Sequence, residues 1–151
     1  CVSTSATTGL QYGGIPHVGV VVTSAASARQ FYTDVLGMVD DEAASKALEC
    51  PGACVRVGAQ TIELYEIPNV DPTEGRPVHA GRDRHVAITL NDLAPLKASL
   101  ESKGVNYTMS YSGRQALFCR DPDGNGWEFG PPTTYEGATR LFPPYLRPED
   151  P

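Results

Sequence analysis

Two stretches of the chain carry the same alternation of apolar and polar positions. HVGVVVTSAASARQFYTDVLG (17–37) and HVAITLNDLAPLKASLESKG (85–104) each open with His-Val and run on as a short β-branched segment. Each then changes to helical spacing and ends at a glycine, twenty residues after the histidine in the first and nineteen in the second. The period of two predicts strands in which Val18, Val20 and Val22 oppose His17, Gly19 and Val21, and Val86, Ile88 and Leu90 oppose His85, Ala87 and Thr89. The helical spacing predicts an amphipathic helix after each strand. The first is capped by Ser24, with Ala28, Phe31, Tyr32, Val35 and Leu36 as its buried stripe. The second is capped by Asp92, with Leu93, Leu96 and Leu100 buried and Pro95 in the first turn, where a missing N–H costs little. Gly37 and Gly104 suit the C-caps.

Further strands are expected around 53–57 and 60–67 in the first half, and around 105–110, 115–119 and 126–130 in the second. Ser112-Gly113 and the DPDGNG run at 121–126 supply the turns between them. Each half reads as β-α-β-β-β. The fold expected is α+β, two such modules closing their sheets into a cup-shaped mixed sheet with the helices on its outer face. Module one covers 15–67, a polar connector 68–84, and module two 85–130.

Residues 1–14, rich in Ser and Thr and without a charged side chain, read as a disordered arm or the remnant of a removed targeting peptide. Residues 131–151 hold six prolines together with Tyr135, Leu141, Phe142, Tyr145 and Leu146. That composition predicts an irregular extension that docks on its own domain or on a protein partner.

Charge and composition narrow the function classes. The 151 residues suffice for one core, and the net charge of −6 argues against general binding to nucleic acid or anionic membrane. No apolar run approaches the roughly 20 residues of a membrane span. Four cysteines do not make a disulfide framework; Cys50 and Cys54 read as partly buried thiols beside a strand start, with a redox pair left open.

The candidate chemistry lies on the faces opposite the aliphatic ones. His17 and His85 start matched strands, while Glu63 (beside Tyr65, opposite Ile62 and Leu64) and Glu128 (opposite Trp127 and Phe129) fall in later strands of the same modules. A sheet pair closed into a cup would aim all four inward. Two imidazoles and two carboxylates suit one borderline divalent ion, Zn or Ni first, with Mn, Co and Fe as alternatives. On an octahedral ion they leave two positions for water or for adjacent substrate oxygens. His79, in the connector, has no counterpart in the other half and is not assigned.

HVGVVVTSAASARQFYTDVLGM, IELYE, RHVAITL and DPDGNGWEF resemble the signature segments of the vicinal-oxygen-chelate superfamily, which takes in glyoxalase I, bleomycin resistance proteins and extradiol dioxygenases. The resemblance covers about residues 15–130. It implies paired βαβββ modules, metal ligands at His17, Glu63, His85 and Glu128, and a homodimer whose sites combine ligands from both subunits. The connector GRPVHAGRDRH and the segment YTMSYSGRQALFCRDPDGN resemble glyoxalase-like proteins of plant plastids and cyanobacteria, which implies the chloroplast stroma, with the cytoplasm as the alternative. Glyoxalase I chemistry would isomerise the glutathione hemithioacetal of methylglyoxal through a metal-stabilised enediolate. Glu128, with Glu63 as its counterpart, would then be the proton-moving carboxylate. Arg76, Arg82, Arg84 and Arg114 are available to glutathione carboxylates, but none is assigned. The alternatives are another metalloenzyme of the same scaffold (epimerase, thiol transferase or dioxygenase) and a non-catalytic assembly subunit that docks through 131–151.

Overall fold

A computed structural model describes residues 14–68 and 70–132, so the expectations for the N-terminal arm and nearly all of the C-terminal extension lie outside the described residues. Module one runs β1 (His17–Val22), α1 (Ala25–Asp34), β2 (Val39–Asp40), α2 (Glu42–Ala47), β3 (Gly52–Val57) and β4 (Gln60–Glu66). After the connector, with one 3-10 turn at Ala80–Arg82, module two runs β5 (His85–Thr89), α3 (Ala94–Ser102), β6 (Tyr107–Met109), β7 (Leu117–Arg120) and β8 (Gly126–Gly130).

The strands form two four-stranded mixed sheets with the same plan, β1-β4-β3-β2 and β5-β8-β7-β6. In each, the first and last strands pair in parallel and the remaining pairs are antiparallel. Parallel pairing needs a long crossover, and the helix and hairpin between the two strands supply it. The register repeats too: Gly19 lies beside Glu63 in the first sheet and Ala87 beside Glu128 in the second. Each histidine therefore sits two residues upstream of the position facing its module's glutamate.

Ser24 caps α1 as expected, accepting from the Ser27 amide, and Glu66 at the end of β4 accepts from the Ala25 amide at 2.8 Å. A carboxylate there also suits the positive end of the helix dipole. The second cap differs from expectation. Helix α3 has Leu93 at its cap position, although Asp92 still accepts from the Ala94 amide at 2.9 Å. Leu93 is already in the right-handed helical region (φ −83°, ψ −15°), which shifts the boundary by one residue.

One core joins the two modules. Val20, Val22, Ile62 and Leu64 of the first sheet, Leu117, Trp127 and Phe129 of the second, and Phe31, Tyr32, Leu96 and Leu100 of the helices form a single buried cluster. A polar interlock sits at its margin. The Tyr32 hydroxyl donates to Asp121 at 2.7 Å and accepts from the Trp127 indole at 3.1 Å. Asp121 also accepts from the Asp123 and Asn125 amides and the Asn125 side chain, and that side chain donates onward to the Val21 carbonyl at 3.0 Å. The DPDGNG turn thus ties β8 to β1 and α1 of the other module. Ser99 of α3 adds a bond to the Val35 carbonyl at 2.7 Å.

Burial pushes the Asp121 carboxyl above the ordinary value of 3.8 in spite of its donors. A raised folded-state value contributes stability that is fully present below the unfolded value and lost as pH rises through the folded one. Chemical denaturation of the wild type and of Asp121→Asn over a pH series should therefore give diverging slopes. From about pH 4 upward the wild type should lose stability that the non-titrating variant, weaker throughout, does not lose. Parallel slopes would remove Asp121 from that pH response.

Candidate metal centre

The register brings each histidine to its own module's glutamate. His17 Nε2 lies 3.7 Å from Glu63 Oε2, and His85 Nε2 lies 3.0 Å from Glu128 Oε2. The second couple is the more enclosed, its side chains 25% and 11% exposed against 46% and 19% for the first. Both couples lie on the sheet faces turned away from the shared core, because they alternate with the residues that build it.

The four residues do not gather at one point of a single chain, as a cup closed within one chain would require. Among the described residues no group of three or more His, Cys, Asp and Glu side chains is placed to hold a metal. The physical reason is the common core: both sheets turn their aliphatic faces to the same helices, and each couple is left on its own outer face. A cleft of about 360 Å³ runs between β1 and the starts of β5 and β8, lined by Val18, Val20, His85, Val86, Asn125 and Trp127 among others. His85 stands at its lip and the other three candidate ligands do not line it.

The donor chemistry fits a cation. His85 Nδ1 lies 2.8 Å from the carbonyl of Asp83, which can only accept, so Nδ1 carries a hydrogen and Nε2 is the ring nitrogen turned to Glu128, 3.0 Å from its carboxylate oxygen. A ring nitrogen and a carboxylate oxygen at this separation share a proton or a cation, and an imidazole whose other nitrogen is fixed by a carbonyl is the usual arrangement of a metal-ligating histidine. Asp83 is itself held by Arg120 at 3.0 Å and Arg76 at 3.6 Å, and Arg120 also donates to the carbonyls of Pro77 and Gly124. The connector is thereby clamped to the DPDGNG turn, and its backbone orients His85.

Arg114, His79 and Tyr65 were named in the sequence but given no role at this site. Arg114, in the β6–β7 hairpin, reaches Glu128 Oε1 at 2.6 Å, so both oxygens of that carboxylate are engaged. His79 is buried, with Nδ1 2.6 Å from the Thr108 hydroxyl and its ring stacked 4.2 Å from Tyr111 and edge-on to Phe118 at 4.6 Å. Phe118 also meets the His85 ring at 5.6 Å. Burial, followed by the nearby His85, lowers the His79 pKa, so the ring serves as a neutral wall of this half-site. In module one the Tyr65 hydroxyl donates to Glu63 Oε2, and this bond, then burial, pushes the phenol up to about 12. Tyr65 was legible as a same-face neighbour of Glu63. His79 and Arg114 carried no periodic signal.

The match to known proteins follows the same segments. The Glyoxalase/Bleomycin resistance protein/Dioxygenase superfamily matches residues 14–129. The chain belongs to that superfamily. Uncharacterized protein YaeR of Escherichia coli (strain K12) is 29% identical over 116 residues, 73% of this chain and 89% of YaeR. Two solved structures share the fold. A mutant of the fosfomycin resistance protein FosX from Listeria monocytogenes, complexed with Mn(II) and 1S,2S-dihydroxypropylphosphonic acid, aligns with TM-score 0.64 and 13% identity over 82% of this chain and 95% of its own. Lactoylglutathione lyase from Agrobacterium tumefaciens aligns with TM-score 0.56 and 21% identity over 80% and 95%.

Proposed function

We propose that this protein is a divalent-metal-dependent, glyoxalase I-like lyase acting on the glutathione hemithioacetal of methylglyoxal, and that two copies pair to build its site. The observation that carries this reading is the matched register: each module holds a histidine ring nitrogen and a carboxylate together on the face turned from the core. The His17–Glu63 couple of one copy and the His85–Glu128 couple of another would together make a four-ligand set. Among the described residues β1 and β5, which carry the histidines, each stand at the edge of their sheet. A bound Zn or Ni ion would polarise two adjacent substrate oxygens.

The chain's own groups then divide the work. The Asp83 carbonyl holds His85 in the ligating tautomer. Glu128 moves the proton between neighbouring carbons, and Arg114, on its other oxygen, places a positive charge beside an anionic substrate. Mn(II) in the FosX complex of the same fold supports the metal in this reading, and the shared fold of a lactoylglutathione lyase supports its reaction class.

The test combines elemental analysis of natively purified protein, its mass in solution, and the hemithioacetal assay after loading with Ni or Zn. S-lactoylglutathione formed by a dimer holding one ion per site is the expected result. Confirmed metal binding without turnover by any divalent ion would overturn the lyase reading. Iron with oxygen uptake on a catechol would move the protein to the dioxygenases.

A further inference from the structure

We infer that Gly19 and Tyr65 form a positioning device for Glu63, fixing the orientation in which its carboxylate meets His17 and a metal ion. The inference rests on the metal reading above and adds a residue pair that the four-ligand set does not include.

Two independent observations carry it. The first is the contact itself: Tyr65 stands two residues from Glu63 on the same face of β4, and its hydroxyl donates to Oε2, the oxygen that also faces His17. Among the described residues Oε1 meets no such donor. The second is the space that the sequence leaves for the ring. β1 and β4 run in parallel with Gly19 beside Glu63 and Val21 beside Tyr65, so the Tyr65 ring must lean back over β1 to reach the carboxylate. It does so above Gly19, where a Cβ would come within 2.8 Å of ring carbon Cε2 and 3.5 Å of Cδ2. Gly19 has no left-handed backbone conformation to explain it. The absence of a side chain makes the slot in which the phenol lies.

Module two has no such device. Ala87 stands at the position of Gly19, and Gly130 two residues after Glu128 where Tyr65 follows Glu63. Glu128 instead meets Arg114, whose side chain is 42% exposed. The two carboxylates are therefore held differently, Glu63 by a phenol lying in a glycine slot and Glu128 by a charged guanidinium.

Mn(II) binding tests this without reference to turnover, by electron paramagnetic resonance of the free ion titrated with full-length protein. Tyr65→Phe keeps the ring and removes the donor; its affinity for Mn(II) should fall about 10-fold or more, the range for loss of a group that orients a ligand. Gly19→Ala should give a similar loss by displacing the ring, and the double variant should lose no more than either single one. Tyr107→Phe removes a like bond, to Glu101 at 2.7 Å and away from the site, and should leave Mn(II) affinity unchanged. Circular dichroism checks that each variant folds; if Gly19→Ala does not, Tyr65→Phe against Tyr107→Phe decides. Wild-type affinity in Tyr65→Phe, or additive losses in the double variant, would overturn the device while leaving the metal site standing. A wild type that takes up no Mn(II), Zn or Ni would remove the metal reading and the inference with it.

Discussion

Glu128→Ala should lower the affinity of the protein for its divalent ion by about two orders of magnitude or more, the largest functional loss expected of any single substitution. Metal affinity is spread over few ligands, and even groups that only orient a ligand are worth 10- to 100-fold. Glu128 is the most enclosed of the four candidates, and both its oxygens are engaged, by His85 and by Arg114. Alanine would remove the ligand and leave an imidazole nitrogen and a guanidinium without their partner. Isothermal titration with Zn or Ni would measure the affinity, and the thermal midpoint with and without metal would give a second reading. The wild type should gain stability on loading by mass action and the variant should gain little. Equal metal-dependent shifts in both proteins would take Glu128 out of the site.

Trp127→Ala should bring the largest loss of stability. The side chain is fully buried, meets Tyr32 edge-on at 5.4 Å, and donates to its hydroxyl. Truncation of a core aromatic to alanine costs about 3–5 kcal/mol, a large part of the roughly 5–15 kcal/mol that holds an ordinary domain folded. The position also sits where the two modules meet, so the cavity would loosen both. Urea unfolding is the measurement, with a marked drop in midpoint expected. Tyr32→Phe should be milder, about 1–2 kcal/mol, because it keeps the ring and strands only the Trp127 N–H, while the Asp121 oxygen keeps its bond from the Asn125 side chain. A Trp127→Ala midpoint within error of the wild type would mean that the interlock does not hold the modules together.

The two predictions rest on features of unequal legibility. Trp127, Phe129 and Glu128 were placed on their faces by alternation alone, and β8 spans the residues expected for it, Gly126–Gly130. The cap at Ser24 and the buried Ala28, Phe31 and Tyr32 followed from helical spacing in the same way. Such features are local, set by a period and a turn residue. The segment after Gly37 was opaque because nothing in it is periodic. β2 is two residues long, paired with Val55 and Arg56, and α2 is six residues long with none of them buried. Strand β7 begins at Leu117, two residues later than expected, and Gln115 is exposed.

The face of each candidate ligand was readable, and so was its partner within the module. The separation of the two couples was not, because it depends on how the modules pack: two helices and two sheets share one core through Tyr32, Asp121 and Trp127, contacts that span about ninety residues. The places of Arg114 and His79 beside the His85–Glu128 couple were unreadable for a related reason. One lies in a hairpin and the other in a connector, and only the fold folds them back over β7 and β8.

The halves share a plan, yet what surrounds their couples differs. A phenol set in a glycine slot stands beside Glu63, and a guanidinium with a wall of His79 and Phe118 stands beside Glu128. A chelating molecule seated between one couple of each kind would find no mirror relation between its left and right. Its two oxygens would be distinguished on arrival, and a proton delivered from the Glu128 side would reach one face of a planar carbon and not the other. The handedness of a product would then be set by the way two repeats of one plan have diverged.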